Sequence, residues 1–177
     1  MFQFEVRRAT PADLDGMTTV YLSLAAHHQG LAPDAYRVPE PAETRERFRR
    51  MLDTDDGQSL HLVAVADGHV LGALDVFMDG VPGPGGTRRP LRTATVGVAV
   101  LDEMRGRGIG TALMRAAEEW ANLTGIDGLR LEVDVRNVRA ERLYRSLGYH
   151  PQTTLMLKPL SGGETPAASA RLGNAAG

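Results

Sequence analysis

A short glycine-rich stretch has the composition of an anion-binding turn. Residues 105–110 read RGRGIG, and a run of good helix formers follows them directly. The first N–H groups of a helix have no intrahelical partners, and the aligned peptide dipoles leave about +0.5 of a charge there. Glycines let an anion approach the backbone closely, and Arg105 and Arg107 add positive charge. The stretch therefore predicts a phosphate or pyrophosphate site at a helix N-terminus.

Spacing distinguishes this turn from the commonest nucleotide loops. The dinucleotide pattern G-x-G-x-x-G requires a glycine where this chain has Thr111 or Leu113, and the Gly-Lys-Ser/Thr of a P-loop is absent. The spacing Arg105-x-x-Gly108-x-Gly110 instead resembles the acyl-CoA signature R/Q-x-x-G-x-G/A of the GNAT family of N-acetyltransferases.

A second segment extends the resemblance. Residues 137–149 read NVRAERLYRSLGY, which is similar to the family's motif N-x-x-A-x-x-x-Y-x-x-x-G-F/Y. The motif positions are Asn137, Ala140, Tyr144, Gly148 and Tyr149. The two motifs stand in the family's order with one helix and one strand between them. In the order of its elements, the resemblance covers the chain from Phe4 to about Pro159.

The resemblance implies an enzyme that transfers an acetyl group from acetyl-CoA to a primary amine by direct attack in a ternary complex. It implies that the backbone of Val98 and Val100 aligns the pantetheine arm, which Asn137 also contacts. It further implies that the pyrophosphate is held by the backbone of Arg105, Gly106, Arg107, Gly108, Ile109, Gly110 and Thr111.

Tyr144 is the candidate general acid. A phenol with a pKa near 10 is protonated at neutral pH and can donate to a thiolate whose conjugate acid has a pKa near 8.5. The position of Tyr144 in the second motif favours this role over that of a half-buried core tyrosine.

The group that removes the proton of the amine is left open. Many relatives carry an acid on the strand before the pyrophosphate loop, but here that strand reads TATVGVAV. Ordered water, Asp75, His27 and His28 are the candidates, and Glu132 is a weaker one.

The acceptor is also left open. A small-molecule amine is the leading expectation, with a protein N-terminus or lysine as the alternative. A non-catalytic acyl-CoA-binding regulatory domain is a second class, because the strand lacks the acid. A nucleotide-dependent enzyme that binds ATP or NAD is a third.

The composition limits the remaining choices. The 177 residues, 42% hydrophobic and 24% charged, suit one globular domain, and the net charge of −2 argues against a nucleic-acid partner. The absence of cysteine excludes disulfides and thiolate-bound metals, and no metal is expected. No apolar run approaches the roughly 18–20 residues of a membrane span, and the charged residues near the start make a signal peptide unexpected. A cytoplasmic protein without a membrane partner is expected, and homodimers are frequent in the family that it resembles.

The elements that must position these residues follow from periodicity and turn signals. The predicted order is β-α-α-β-β-β-α-β-α-β, in an α/β (α+β) domain with a mixed, mostly antiparallel sheet and one parallel pair splayed around the cofactor. Thr10-Pro11 begins the first helix, and Asp67-Gly68 marks a hairpin. The domain is expected to span residues 1–160, with a disordered tail at 161–177. The predicted strands are Phe2–Arg8, Leu60–Ala66, Val70–Met78, Thr93–Val100, Leu129–Val135 and Thr153–Leu160.

Overall fold

A computed structural model describes residues 2–54, 57–80 and 91–158 of the protein. The strands are β1 (Glu5–Arg8), β2 (Ser59–Ala66), β3 (His69–Met78), β4 (Thr93–Val100) and β5 (Gly128–Arg130). The helices are α1 (Leu14–Leu31), α2 (Pro41–Asp53), α3 (Ile109–Leu123) and α4 (Val138–Ser146), with short 3-10 turns at Pro11–Asp13 and Asp102–Met104.

The five strands form one mixed sheet in the order β1-β2-β3-β4-β5. Strands β1 to β4 pair with one another in antiparallel orientation, and β5 pairs with β4 in parallel orientation. A crossover through α3 joins the parallel pair, as the sequence predicts. The predicted hairpin between β2 and β3 is confirmed, since Asp67 and Gly68 have φ angles of 49° and 77°. Positive φ at both central residues is typical of a type I′ turn.

A β-bulge interrupts the β2–β3 hairpin. Close to the turn, Ala66 pairs with His69 and Val65 with Val70. The register then shifts between Ala64 and Val65, so that His61 lies opposite Asp75. The extra residue places His61 and Asp75 side by side on one face of the sheet.

Each face of the sheet is covered by a different part of the chain. Ile109, Leu113 and Met114 of α3 are buried against Leu74 and Val76 on one face. On the other face, Met17, Val20 and Phe48 of α1 and α2 are buried against Val63 and Ala73. Alternate residues of β3 and β4 therefore point toward α3 or toward α1 and α2.

An ion pair fixes the start of the first helix. Asp13, with 7% of its side chain exposed, accepts two hydrogen bonds of 2.8 Å from the guanidinium of Arg7. The carboxylate also accepts the backbone N–H of Thr10 at 2.8 Å. The predicted cap at Thr10 is present as a capping box with Asp13.

Three predicted strand limits are wrong. The first strand begins at Glu5 instead of Phe2, and the fifth ends at Arg130 instead of Val135. Residues 153–158 form no strand, and Leu155, Met156 and Leu157 are 88–91% exposed. Apolar, β-prone residues form a strand only where another strand pairs with them, and the described part of the chain supplies none at these places. Residues 159–160 of the predicted last strand and the predicted tail at 161–177 lie outside the described residues.

Candidate active site

One edge of β4 loses its partner halfway along the strand. The β4–β5 ladder ends at the pair of Thr95 and Arg130, whereas β4 continues to Val100. The segment after Arg130 is not a strand. We call the gap beside residues 96–100 of β4 the edge cleft.

The hydrogen bonds to β3 show which residues of β4 face the edge cleft. The carbonyl of Thr93 accepts the N–H of Asp79 at 2.8 Å, and the N–H of Leu101 donates to the carbonyl of Leu71 at 3.0 Å. In an antiparallel ladder, alternate residues bond to the same neighbour, so the odd-numbered residues of β4 are bonded to β3. The last parallel pair, Thr95 with Arg130, uses the N–H of Val96. The C=O of Val96 and the N–H and C=O groups of Val98 and Val100 therefore face the edge cleft.

The glycine turn leads from the end of β4 into α3. Gly106 and Gly108 have φ angles of 80° and 84°, in the left-handed region that favours glycine. Gly108 is the N-cap residue, without a side-chain cap, and its carbonyl accepts the N–H of Ala112 at 3.0 Å. The N–H groups of the first helical turn, in residues 109–111, thus have no intrahelical partners. The predicted open helix N-terminus is present at the end of the edge cleft.

The two predicted arginines are engaged by other protein groups. Arg105 forms an ion pair with Asp102 and donates to Nδ1 of His27 at 3.3 Å. The guanidinium of Arg107 lies over the ring of Phe2, 5.0 Å from its centroid. Both residues lie in the glycine turn, but the charge of each already interacts with another protein group.

A third arginine, which sequence reasoning missed, lies at the same turn. A Cβ atom added to Gly106 would be 3.5 Å from Nη2 of Arg139 on α4. Arg139 occupies a variable position between Asn137 and Ala140 of the second motif. Its arrival at the glycine turn follows from the packing of α4, which the motif alone does not describe.

Helix α4 adjoins both the glycine turn and the edge cleft. Oδ1 of Asn137 accepts the N–H of Ala140 at 3.1 Å, so Asn137 is the N-cap residue. Tyr144 is half-buried and packs in the same core as Val98 and Val100. Burial raises the pKa of the Tyr144 phenol, which is therefore protonated at neutral pH. The ring centroid of Tyr149 lies 6.0 Å from that of Tyr144.

A second cleft, of about 720 Å³, lies on the face of the sheet that α1 and α2 cover. We call it the face cleft. Its floor includes β3 and β4, and the segment after β5 supplies one carboxylate. The lining residues are Tyr21, Arg47, Arg50, Met51, Asp75, Phe77, Thr95, Val96, Gly97 and Glu132.

Asp75 of the face cleft is held by a short polar chain. Its Oδ1 lies 2.8 Å from Nδ1 of His61, and Nε2 of His61 lies 3.2 Å from the hydroxyl of Ser59. An ionised carboxylate can only accept, so His61 donates Nδ1–H to Asp75, and its Nε2 shares a hydrogen bond with the Ser59 hydroxyl. Only 9% of the His61 side chain and 22% of the Asp75 side chain are exposed. His61 was missed by sequence reasoning, because its contact with Asp75 depends on the β-bulge.

The two histidines proposed as bases occupy a different place. His27 accepts from Arg105, and His28 stacks on Tyr36 with 4.9 Å between the ring centroids. Burial, with the charges of His27 and Arg105, lowers the pKa of His28. The Tyr36 hydroxyl donates to Asp134 at 3.1 Å. The pair thus helps to join α1 to the segment after β5, and neither histidine lines the face cleft.

Two further features concern all the described residues. They contain no group of three or more His, Asp or Glu side chains placed to hold a metal ion. No helix among them has the length and apolar character to cross a membrane.

Comparison with known proteins agrees with this arrangement of sheet, glycine turn and second motif. The model of the acetyltransferase (GNAT) family matches residues 25–149. The chain is 28% identical over 151 residues to an uncharacterized N-acetyltransferase of Methanocaldococcus jannaschii, MJ1530, and the match covers 85% of this chain and 80% of that one. It is 29% identical over 124 residues to an uncharacterized N-acetyltransferase of Bacillus subtilis, YobR, a match that covers 70% of this chain and 39% of that one.

Solved structures share the fold. A mutant of the BH1408 protein from Bacillus halodurans superposes with a TM-score of 0.80 at 24% identity, covering 89% of this chain and 99% of that one. The aminoglycoside acetyltransferase AAC(6')-Iy, in complex with a bisubstrate analogue of CoA and acetylneamine, gives 0.66 at 18% identity, covering 91% and 100%. These likenesses concern the fold alone.

The mixed sheet, the glycine turn and the second motif define an acetyltransferase fold. The chain belongs to the GNAT family of acetyltransferases, and its prediction as an N-acetyltransferase is confirmed.

Proposed function

We propose that this protein transfers the acetyl group of acetyl-CoA to a primary amine of a small molecule, by direct attack within a ternary complex. The observation that carries the proposal is the position of β4 between two clefts. Val96 and Val98 direct backbone groups into the edge cleft, while Val96 and Gly97 line the face cleft. A donor in the first cleft and an acceptor in the second would meet at these residues.

The edge cleft and the glycine turn fit the two ends of a CoA molecule. The amide-bearing pantetheine arm needs backbone donors and acceptors, which Val98 and Val100 offer along the edge of β4. The pyrophosphate needs N–H donors and positive charge, which the first turn of α3 and Arg139 offer. Acetyl-CoA supplies the acetyl group as a thioester, which an amine can attack.

Two protein groups serve the departing thiolate and the reacting carbonyl. A backbone N–H of β4 in the edge cleft polarises the carbonyl oxygen, as an oxyanion hole does, because its dipole is fixed before negative charge develops. The Tyr144 phenol donates its proton to the thiolate. Its raised pKa keeps the donor protonated across the neutral range.

Asp75 is the proton acceptor that this structure favours among the candidates left open by the sequence. An amine attacks only when it is neutral, and alkyl ammonium groups with pKa values near 10 are mostly protonated at pH 7. Asp75 lines the face cleft and lies directly opposite Gly97 in the β3–β4 register. His61 holds one carboxylate oxygen, and Oδ2 forms no hydrogen bond with any described residue. This oxygen is left to accept a proton from the amine.

The size of the face cleft and the fold neighbours support a small-molecule acceptor. Pockets for small ligands commonly measure about 300–1,000 Å³, and the face cleft lies in this range. A fold neighbour is an aminoglycoside acetyltransferase in complex with a CoA–acetylneamine analogue.

The test is a screen of CoA release from acetyl-CoA with a panel of small primary amines and of peptides with free N-termini or lysines. We expect release with small amines and a mass gain of one acetyl group on the product. Acetylation of peptides alone would replace the small-molecule acceptor by a protein one. Acetyl-CoA binding without release across the panel would identify a non-catalytic acyl-CoA-binding domain. Binding of ATP or NAD but not of CoA would contradict both the acetyltransferase and the acyl-CoA-binding domain. The cytoplasmic location and the homodimer remain predictions. The mass of the protein in solution, measured by light scattering, tests the homodimer.

A further inference from the structure

The face cleft is lined by carboxylates from one part of the chain and by arginines from another. This arrangement indicates which charges an acceptor should carry. The carboxylates of Asp75 and Glu132 lie toward the sheet, where β4 supplies Gly97. Arg47 and Arg50 line the cleft from α2. Tyr21, Met51 and Phe77 also line the cleft and add apolar surface to it.

Arg47 differs from the other arginines of α2 in its partners. Arg45 pairs with Asp15, Arg49 with Glu46 and Asp53, and Arg50 with Glu46 at 3.5 Å. Arg47 forms no ion pair with a carboxylate of any described residue. Its guanidinium instead lies over the Tyr21 ring at 4.3 Å and beside the Phe48 ring at 4.9 Å from the centroids. The rings hold the charge in place at the cleft, and its N–H groups keep their capacity for an anion.

We propose that the acceptor is a zwitterion: a primary amine that also carries a carboxylate or a phosphate, with an apolar body between the two groups. This inference rests on the proposed function and names the substrate class of the same site. The ammonium group lies at Asp75, next to Gly97, and the anionic group binds Arg47. A polycationic amine would instead place one of its positive charges against Arg47, which has no carboxylate to compensate it.

The inference is tested with matched pairs of amines that differ in the anionic group, in the CoA-release assay on the full chain. 6-Aminohexanoate with hexylamine tests a carboxylate, 6-aminohexyl phosphate with 6-aminohexanol tests a phosphate, and neamine is the polycation. The variants are Arg47→Met, which keeps an apolar stem on Tyr21, and Arg47→Lys, which restores the charge. Arg45→Met is the control, since Arg45 belongs to the same helix but does not line the cleft.

We expect each amine with an anionic group to be preferred at least tenfold in kcat/KM over the matched amine that lacks this group. Arg47→Met should raise the KM of the anionic amine about 10- to 100-fold and leave that of its partner unchanged, since a charge-assisted hydrogen bond is lost in one case only. Arg47→Lys should recover part of the loss, and Arg45→Met should change neither amine.

The inference is overturned if the best acceptor lacks an anionic group, or if Arg47→Met affects both members of a pair equally. If no amine yields CoA, the proposed function fails by itself. Calorimetric binding of the same amines to the CoA-saturated protein then decides the inference, which falls if the anionic amines bind wild type and Arg47→Met equally well.

Discussion

His61 and Asp75 face each other across β2 and β3, with Nδ1 of the histidine 2.8 Å from Oδ1 of the carboxylate. Asp75 lines the face cleft, and His61 and Ser59 form the chain of hydrogen bonds behind it. A carboxylate held on one side and open on the other has a fixed direction in which to accept a proton. This geometry gives the proposed reaction a base in the absence of an acid on β4.

Replacement of Asp75 by Asn should lower kcat about 10²-fold at pH 7, the lower end of what a positioned general base contributes. The amide cannot accept the proton, so only amine that is already neutral in solution can react. That fraction rises about tenfold per pH unit up to a pKa near 10, and the deficit of Asp75→Asn should therefore shrink toward pH 10. Rate profiles from pH 6 to 10 provide the measurement. A deficit that stays constant with pH would assign Asp75 a structural role.

In the proposed reaction His61 positions Asp75, and its variants should separate the effect of this hydrogen bond from that of packing. His61→Leu removes the donor to Asp75 and should lower kcat about tenfold, with the same recovery at high pH, as expected for a loss of about 1.4 kcal/mol. His61→Asn keeps an N–H near the position of Nδ1 and should restore most of the rate. Melting temperatures of both variants provide the control for folding. Equal rates for His61→Leu and His61→Asn would exclude positioning through this bond.

The sequence predicts the structure of the glycine turn and the start of α4 well and the lining of the face cleft poorly, for a physical reason. The glycine turn, the open first turn of α3 and the N-cap at Asn137 are local features, set by residues adjacent in the chain. The contact of His61 with Asp75 is not local. The turn at Asp67-Gly68 alone would pair His61 with Leu74, and only the bulge beyond Val65 brings Asp75 opposite.

The same distinction explains the errors in the predicted strands. Leu129–Val135 alternates as a strand should, yet β5 ends at Arg130 because its ladder with β4 ends there. An alternating pattern shows that a segment is compatible with a strand. Whether the strand forms depends on pairing with residues that are distant in the sequence. Arg139 and Arg47 illustrate this point for the site, since their positions follow from helix packing.

Tyr144→Phe should lower kcat about 10²-fold and leave the Kd of acetyl-CoA unchanged, because only the hydroxyl proton is lost. Tyr149→Phe is the matched control. The Tyr149 hydroxyl is buried without a hydrogen-bond partner among the described residues, and its pKa is raised to about 12, mainly by burial. Its removal should keep the rate and preserve or increase stability. Steady-state rates together with calorimetric binding of acetyl-CoA distinguish the two tyrosines, and an unchanged kcat in Tyr144→Phe would exclude its role as the acid.

Gly110→Ala should weaken acetyl-CoA binding without impairing folding. The added Cβ would lie 3.3 Å from a methyl group of Leu143, a flexible side chain that can move by a few tenths of an ångström. Alanine is also favoured over glycine within a helix by roughly 0.5–1 kcal/mol. Gly108→Ala is the contrasting variant, because φ of 84° strains any L-residue there by about 1–2 kcal/mol. Thermal unfolding and acetyl-CoA titration should show a binding defect alone for Gly110→Ala and both defects for Gly108→Ala. Unchanged affinity in both variants would place the pyrophosphate elsewhere, since a Cβ at Gly108 would enter space that no described protein atom fills within 4 Å.

The ion pair of Arg7 and Asp13 should make the stability of the fold depend on acid. The hydrogen bonds from Arg7 lower the pKa of Asp13 to about 2, from its ordinary value of 3.8. A carboxyl group whose pKa is lower in the folded state stabilises that state above its unfolded pKa, by about 2 kcal/mol for a shift of this size. That contribution is lost as the pH falls from about 4 to about 2. Urea unfolding should therefore find Asp13→Asn less stable than wild type by about 2 kcal/mol at pH 7, with the difference shrinking below pH 4. Glu46→Gln, at an exposed pair on α2 that solvent screens, should change stability much less than Asp13→Asn does at pH 7. Equal stability of Asp13→Asn and wild type at pH 7 would mean that the pair does not hold β1 to the start of α1.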